Sequence, residues 1–210
     1  MIKVKIYGER NSGAIYLEWL IKKNLEVDLT DDFEYGWKHR LAPSEEELTE
    51  YMKKDVIYLC LVKNPYSWLL SLHKRPYNHE SLRKTSFAEF LRYSFGDYMN
   101  PTVMWNIKNR SYLNMRDYVR NHKIIRYEDL LKDPKGSIEE LADRFGLDKP
   151  GFFKNIHNLL THSHGVNRRK FHTDYYLKER WRSSLNNDHI RQINKYLDDS
   201  LMKELEYIKL

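Results

Sequence analysis

The run Val56-Ile57-Tyr58-Leu59-Cys60-Leu61-Val62 constrains the fold more than any other stretch of the chain. It is β-branched and apolar without alternation, so a strand built from it must be covered on both faces, as in the middle of a parallel sheet. Pro65 follows at the position of a first helical turn, and Ser67 to Leu72 continue as helix. The same order appears at the start. Residues 2–7 alternate apolar and basic side chains like a strand, Gly8-Glu9-Arg10-Asn11-Ser12-Gly13 breaks the pattern, and Ala14 to Ile21 resumes with helical spacing. A third strand is expected at His122 to Arg126. Strands separated by helices predict an α/β fold with a central parallel sheet and flanking helices in three layers. A ligand of such a fold lies beyond the carboxyl ends of its strands, where both junction loops fall.

The remaining punctuation is helical. Ser44-Glu45-Glu46-Glu47 is a capping box for an acidic helix near 44–54, Ser86 with Glu89 opens another to about Phe95, and Pro101 opens a longer one running towards Arg120. Ser137-Ile138-Glu139-Glu140 reads as a further capping box for a helix that stops at Gly146. The expected organisation is one domain over 1–210, with an α/β core in 1–147 and a helical and loop-like part in 148–210.

Composition removes several classes. No apolar run approaches the roughly 18 residues of a membrane span. With 5 Trp, 16 Tyr and 8 Phe the chain has too much aromatic surface to stay disordered. The start lacks the layout of a signal peptide, so a cytoplasmic location is expected. The single Cys60 excludes an internal disulfide and a cysteine-based metal site, and its apolar surroundings predict a buried thiol. His162-Ser163-His164 lacks a third ligand nearby and reads as a polar loop, so no metal is expected. Residues 1–50 carry 7 basic and 11 acidic side chains and the rest 29 and 19, for a net charge of +6. That distribution suits an ordinary solvated surface or an anionic ligand. No zinc-finger, basic-zipper or RRM pattern supports a nucleic-acid partner.

Two loops carry anion chemistry. Gly8 and Gly13 bracket four residues before a helix, a turn whose backbone amides and helix dipole attract anions. A Walker A loop needs Lys and then Ser or Thr after the second glycine, and Ala14-Ile15 stand there, which argues against a kinase or NTPase. At the second junction Lys63 ends the strand and Ser71 lies eight residues on, about two helical turns, so that both reach one anion.

Three segments in this order resemble the sulfotransferases that use 3′-phosphoadenosine-5′-phosphosulfate (PAPS). Gly8 to Gly13 with Tyr16-Leu17 resembles the family's 5′-phosphosulfate loop, Lys63-Asn64-Pro65 with Ser71 its 3′-phosphate motif, and Arg126-Tyr127-Glu128-Asp129-Leu130 with Asp133-Pro134 its Tyr-Glu-Asp-Leu segment. The similarity covers roughly 2–147. It implies a P-loop-like sulfotransferase fold, PAPS as donor, PAP as product, and transfer to an acceptor hydroxyl; the expected cytoplasmic location and the many aromatic side chains, which suit sugar faces, point to a carbohydrate acceptor, with a small phenol or alcohol also open. On the nucleotide it implies contacts from Arg10, Asn11, Ser12, Lys63 and Ser71, with Gly13 and Ala14 acting through the backbone and Tyr127 near the adenosine. Arg168-Arg169-Lys170 loosely echoes the family's C-terminal basic loop and brings Arg168 and Arg169 to the phosphates. The family places its general base between the first two motifs. There His39 titrates near neutrality and is the first candidate, and Glu34, some twenty residues past the first loop, is the second. The chain departs from the family in Asn11 before Ser-Gly, in Ala14 and Ile15 where two threonines are usual, and in Lys63 for arginine. Those departures leave open a protein that binds nucleotide or partners without turnover.

Overall fold

A computed structural model describes residues 1–30, 32–77, 79–149, 151–156, 158–161, 167–170 and 173–210, with backbone alone at 32, 158–161 and 167–170. Four parallel strands, β1 (Lys3–Gly8), β2 (Asp28–Leu29), β3 (Ile57–Val62) and β4 (Asn121–Arg126), form a sheet in the order β2-β1-β3-β4. On one side β3 pairs Ile57 with Val4 through to Leu61 with Gly8. On the other it pairs Ile57 with Asn121 through to Val62 with Arg126. All six of its residues are buried. Successive side chains point to opposite faces of a strand. Ile57, Leu59 and Leu61 therefore join Val4 and Ile6 in one core, while Tyr58 and Cys60 join Tyr7 in another.

Helices cover both faces. α1 (Ala14–Asn24) follows β1, α2 (Asp32–Tyr35) and α3 (Glu50–Asp55) precede β3, and α4 (Pro65–Lys74), α5 (Phe87–Phe90) and α6 (Pro101–Asn114) separate β3 from β4. α7 (Tyr127–Lys132) and α8 (Pro134–Phe145) follow β4. The residues of α1 and α8 pack on the Val4, Ile6 and Leu59 face. Trp68 of α4, Trp105 of α6 and Trp181 form the largest core cluster with the C-terminal residues. Cys60 is buried as expected, and burial pushes its thiol pKa up.

Several boundaries differ from the expectation. The acidic helix near 44–54 is a 3-10 turn at Glu45–Glu47 and a separate α3, which Thr49 caps by accepting from Met52 N at 3.2 Å. The helix after Ser86 ends at Phe90, because Phe95 bridges to Tyr98 instead. α6 stops at Asn114, and a 3-10 turn occupies Met115–Asp117. Ser137 opens nothing. α8 starts at Pro134, with Asp133 accepting from Gly136 N at 2.8 Å. The C-terminal part also holds an antiparallel pair, β5 (Asn158–Thr161) and β6 (Asn167–Lys170), before α9 (Thr173–Leu177), α10 (Asn187–Asn194) and α11 (Asp199–Glu204). Among the described residues no helix is long and apolar enough to cross a membrane, and no three potential ligands gather for a metal. His162 and His164 lie outside the described residues.

Candidate active site

The ends of β1, β3 and β4 bring three loops together. In the first, Asn11 (φ 64°) and Gly13 (φ 102°) take the left-handed conformation that glycine adopts without strain. The turn is tied internally: Ser12 Oγ donates to Glu9 O at 2.6 Å, Arg10 N to Glu9 Oε1 at 2.7 Å, and Trp68 Nε1 to Arg10 O at 2.8 Å. The hydroxyl proton of Ser12 is directed to the loop, and the Asn11 amide donates to Arg75 O at 3.3 Å, so both side chains help to shape the turn. No side chain caps α1, so the amides of its first turn, at Gly13 and Ala14, have no side-chain acceptor there. Arg10 extends over the Tyr77 ring, 4.9 Å from its centroid.

Gly13 is required twice over. A Cβ there would lie 2.4 Å from Tyr127 Cδ2, on a backbone that side chains rarely adopt. Gly13→Ala is expected to destabilise the fold by about 2 kcal/mol in urea unfolding.

The second loop delivers Lys63, only 2% exposed. Its Nζ donates to Ser71 Oγ at 3.0 Å and to Asn11 O at 3.2 Å, linking the first two loops at one ammonium. The rings of Tyr127 and Tyr176 stand 5.1 and 4.1 Å from it. Burial pulls the Lys63 pKa down, opposed mainly by Tyr176. The spacing of eight thus brings Lys63 and Ser71 together as expected, with Tyr127 beside them. Tyr176 was not foreseen. Arg168 and Arg169 lie in β6, opposite Leu160 and Leu159, and not in a loop; their side chains lie outside the described residues.

The segment 34–39 runs alongside β1 in the same direction. Glu34 pairs with Lys3 at 3.2 Å, Lys5 Nζ donates to Gly36 O at 2.7 Å, and Gly8 N donates to Lys38 O at 3.0 Å. This course separates the two base candidates. His39 arrives at the carboxyl end of β1, whereas Glu34 is held at the amino end, about 16 Å away along the strand. The His39 Nδ1–H donates to Gly8 O at 2.5 Å, so the neutral ring keeps Nε2 as its acceptor. Burial, aided by Lys38, Arg10 and Lys108, outweighs the Gly8 hydrogen bond and lowers the His39 pKa to about 4. The imidazole is therefore neutral at pH 7, with Nε2 open as an acceptor, and it does not titrate near neutrality as expected but is a weaker base than an ordinary histidine. Trp37, about half exposed, meets His39 edge-on at 5.1 Å and Tyr77 at 6.1 Å.

A buried ion pair lies beneath these groups. Lys108 Nζ of α6 meets Glu9 Oε2 at 2.6 Å, with side chains 7% and 2% exposed, and also donates to His39 O at 2.7 Å. The Tyr77 hydroxyl donates to Glu9 Oε1. One ammonium therefore fixes both the first loop and the His39 segment. A signal for it existed: Trp105, Lys108 and Tyr112 share one helix face and are all buried.

The sulfotransferase domain family matches residues 41–206. The chain belongs to the sulfotransferase family. Among solved structures it resembles mouse sulfotransferase SULT7A1 complexed with PAP, at a TM-score of 0.57 and 17% identity over 98% of this chain and 88% of that one, a likeness of fold. The sulfotransferase domains of the Synechococcus PCC 7002 olefin synthase and of the curacin biosynthetic pathway are 19% and 15% identical, each over 88% of this chain and 62% and 63% of theirs, at TM-scores of 0.42 and 0.45. No curated protein matches the chain. Lys63, Ser71 and Tyr127 lie inside the family match, while Gly8 to Gly13 and His39 precede it.

Proposed function

We propose that this sulfotransferase-family chain moves a sulfuryl group from PAPS to an acceptor hydroxyl and releases PAP, with a carbohydrate the first acceptor to test. The observation that carries the reading is the convergence of Lys63, Ser71 and the Asn11 carbonyl at the carboxyl edge of the sheet. A buried ammonium fits a dianionic 3′-phosphate, and the uncapped first turn of α1 with Arg10 fits the 5′ end, so the residues suit the nucleotide. The PAP bound to the mouse relative supports the same choice.

Bound PAPS supplies an activated sulfuryl group on a phosphate leaving group. The chain's own work is positional and electrostatic. Lys63 and Ser71 hold the 3′-phosphate, Tyr127 lies along the adenosine, the α1 amides and Arg10 meet negative charge at the 5′ end, and Arg168 and Arg169 belong to the proposal as further phosphate contacts. His39 receives the acceptor's proton at Nε2 while Gly8 O fixes its tautomer. The Trp37 face offers a wall for the acceptor.

Calorimetric titration with 3′,5′-ADP tests the site. Lys63→Ala is expected to weaken binding about 100-fold and Ser71→Ala about tenfold. Unchanged affinity in either variant overturns the assignment. A second reading, nucleotide binding without turnover, is favoured by Ala14 and Ile15 in the loop and by the Ser12 proton directed to the loop. Tight binding of 3′,5′-ADP with no sulfate transfer to any acceptor in a panel of sugars, phenols and alcohols would select it.

A further inference from the structure

The Lys63 ammonium has three protons, and the protein engages all sides of it. Asn11 O and Ser71 Oγ accept two hydrogen bonds, and the Tyr176 ring covers the remaining side at 4.1 Å, with its hydroxyl 3.4 Å from Ser71 Oγ. A phosphate at Lys63 and Ser71 must therefore displace a partner. Asn11 O is main chain of a loop pinned by Trp68, and Ser71 belongs to the ten-residue helix α4. Tyr176 belongs to α9, a five-residue helix too short to be stable by itself, and so is the partner most easily moved.

We propose that Tyr176 is a placeholder for the 3′-phosphate: it covers Lys63 and Ser71 in the free protein and withdraws with α9 when the nucleotide enters. This rests on the PAPS reading given above. The chemistry of the substitution is apt, because an aromatic face attracts an ammonium and a phenol oxygen presents lone pairs where a phosphate oxygen would. Burial raises the Tyr176 pKa, but Lys63 and Ser71 more than reverse this, so the phenol ends below its usual value and leans towards the charge that it stands in for. A self-covered site keeps a buried lysine from facing an empty cleft, and the binding of nucleotide is correspondingly weakened by the work of displacement.

Two measurements test this. Titrations with 3′,5′-ADP and with 5′-AMP on the unaltered chain, Tyr176→Ala and Lys63→Ala are expected to show that Tyr176→Ala tightens 3′,5′-ADP about tenfold and leaves 5′-AMP unchanged, while Lys63→Ala weakens 3′,5′-ADP. Unchanged or weaker 3′,5′-ADP binding in Tyr176→Ala, or equal tightening of both nucleotides, overturns the placeholder. Indifference of 3′,5′-ADP to Lys63→Ala overturns the PAPS reading instead. Hydrogen exchange on the unaltered chain needs no variant to fold: saturation with 3′,5′-ADP should speed exchange of the amides of 173–177, and slower exchange there would make α9 a clamp and refute the proposal.

Discussion

Lys108→Met should destabilise the protein by about 3–5 kcal/mol, because it leaves Glu9 buried without its counter-ion. Glu9 is 2% exposed, and its carboxyl pKa is already raised by burial, with the ammonium of Lys108 the largest opposing influence. Removing that ammonium forces Glu9 either to stay charged in a dry site or to take up a proton at neutral pH, and each is costly. Urea unfolding of the single variant measures the loss. The double variant Glu9→Gln with Lys108→Met should recover most of it, since no buried charge is then left. A single-variant loss below about 1 kcal/mol would show that the pair is solvated and not structural. The same change also removes the donor to His39 O, so the variant should lose turnover beyond its loss of folded protein.

What the sequence revealed of this arrangement follows a physical division. An unbroken apolar run can only be satisfied between two helical layers, which is why β3 and the sheet around it were legible. Lys63 and Ser71 were legible because Pro65 starts α4 two residues after Lys63, so most of the spacing of eight is the fixed rise of a helix. Distances across loops have no such ruler. Twenty residues after the first loop pointed to Glu34, yet the chain between runs back to the start of β1 before travelling forward along it, and of the two candidates His39 is the one that reaches Gly8. Buried charge misled in the same way. Lys5 reads as the solvated face of an alternating strand, but it is 1% exposed, with Nζ on Gly36 O and 5.4 Å from the Tyr7 ring. Lys108 shares its helix face with the buried Trp105 and Tyr112, but only the fold places Glu9 opposite it. Tyr176 reaches Lys63 from 113 positions away in the numbering, and no local pattern encodes such a contact.

Replacing His39 should remove most of the chemistry and leave nucleotide binding. General-base catalysis contributes about 10²–10⁴-fold, so His39→Gln is expected to lower kcat by that factor on any acceptor that is turned over. Glutamine retains an amide donor for Gly8 O, which keeps the loop in place, and the affinity for 3′,5′-ADP should stay within about twofold of the original. The pH dependence carries a sharper test. With the His39 pKa lowered to about 4, the free protein holds the imidazole in its proton-accepting form throughout the neutral range. The acid limb of kcat/KM should then fall with a midpoint near 4, and the profile should be flat between about pH 6 and 8. A midpoint near 6.5 would place His39 in solvent and remove the geometric argument for it. Stability must follow the same linkage. A histidine whose folded pKa lies below its unfolded value of 6.5 binds fewer protons when folded, so stability present above pH 6.5 is lost as the pH falls towards 4. His122, also lowered to about 4 by burial, adds to that loss with the same sign. Since His39→Gln removes only one of the two, thermal unfolding of the variant between pH 7 and 4 should show a shallower fall in Tm than the original chain, and equal slopes would mean that His39 does not titrate out of a buried, neutral state.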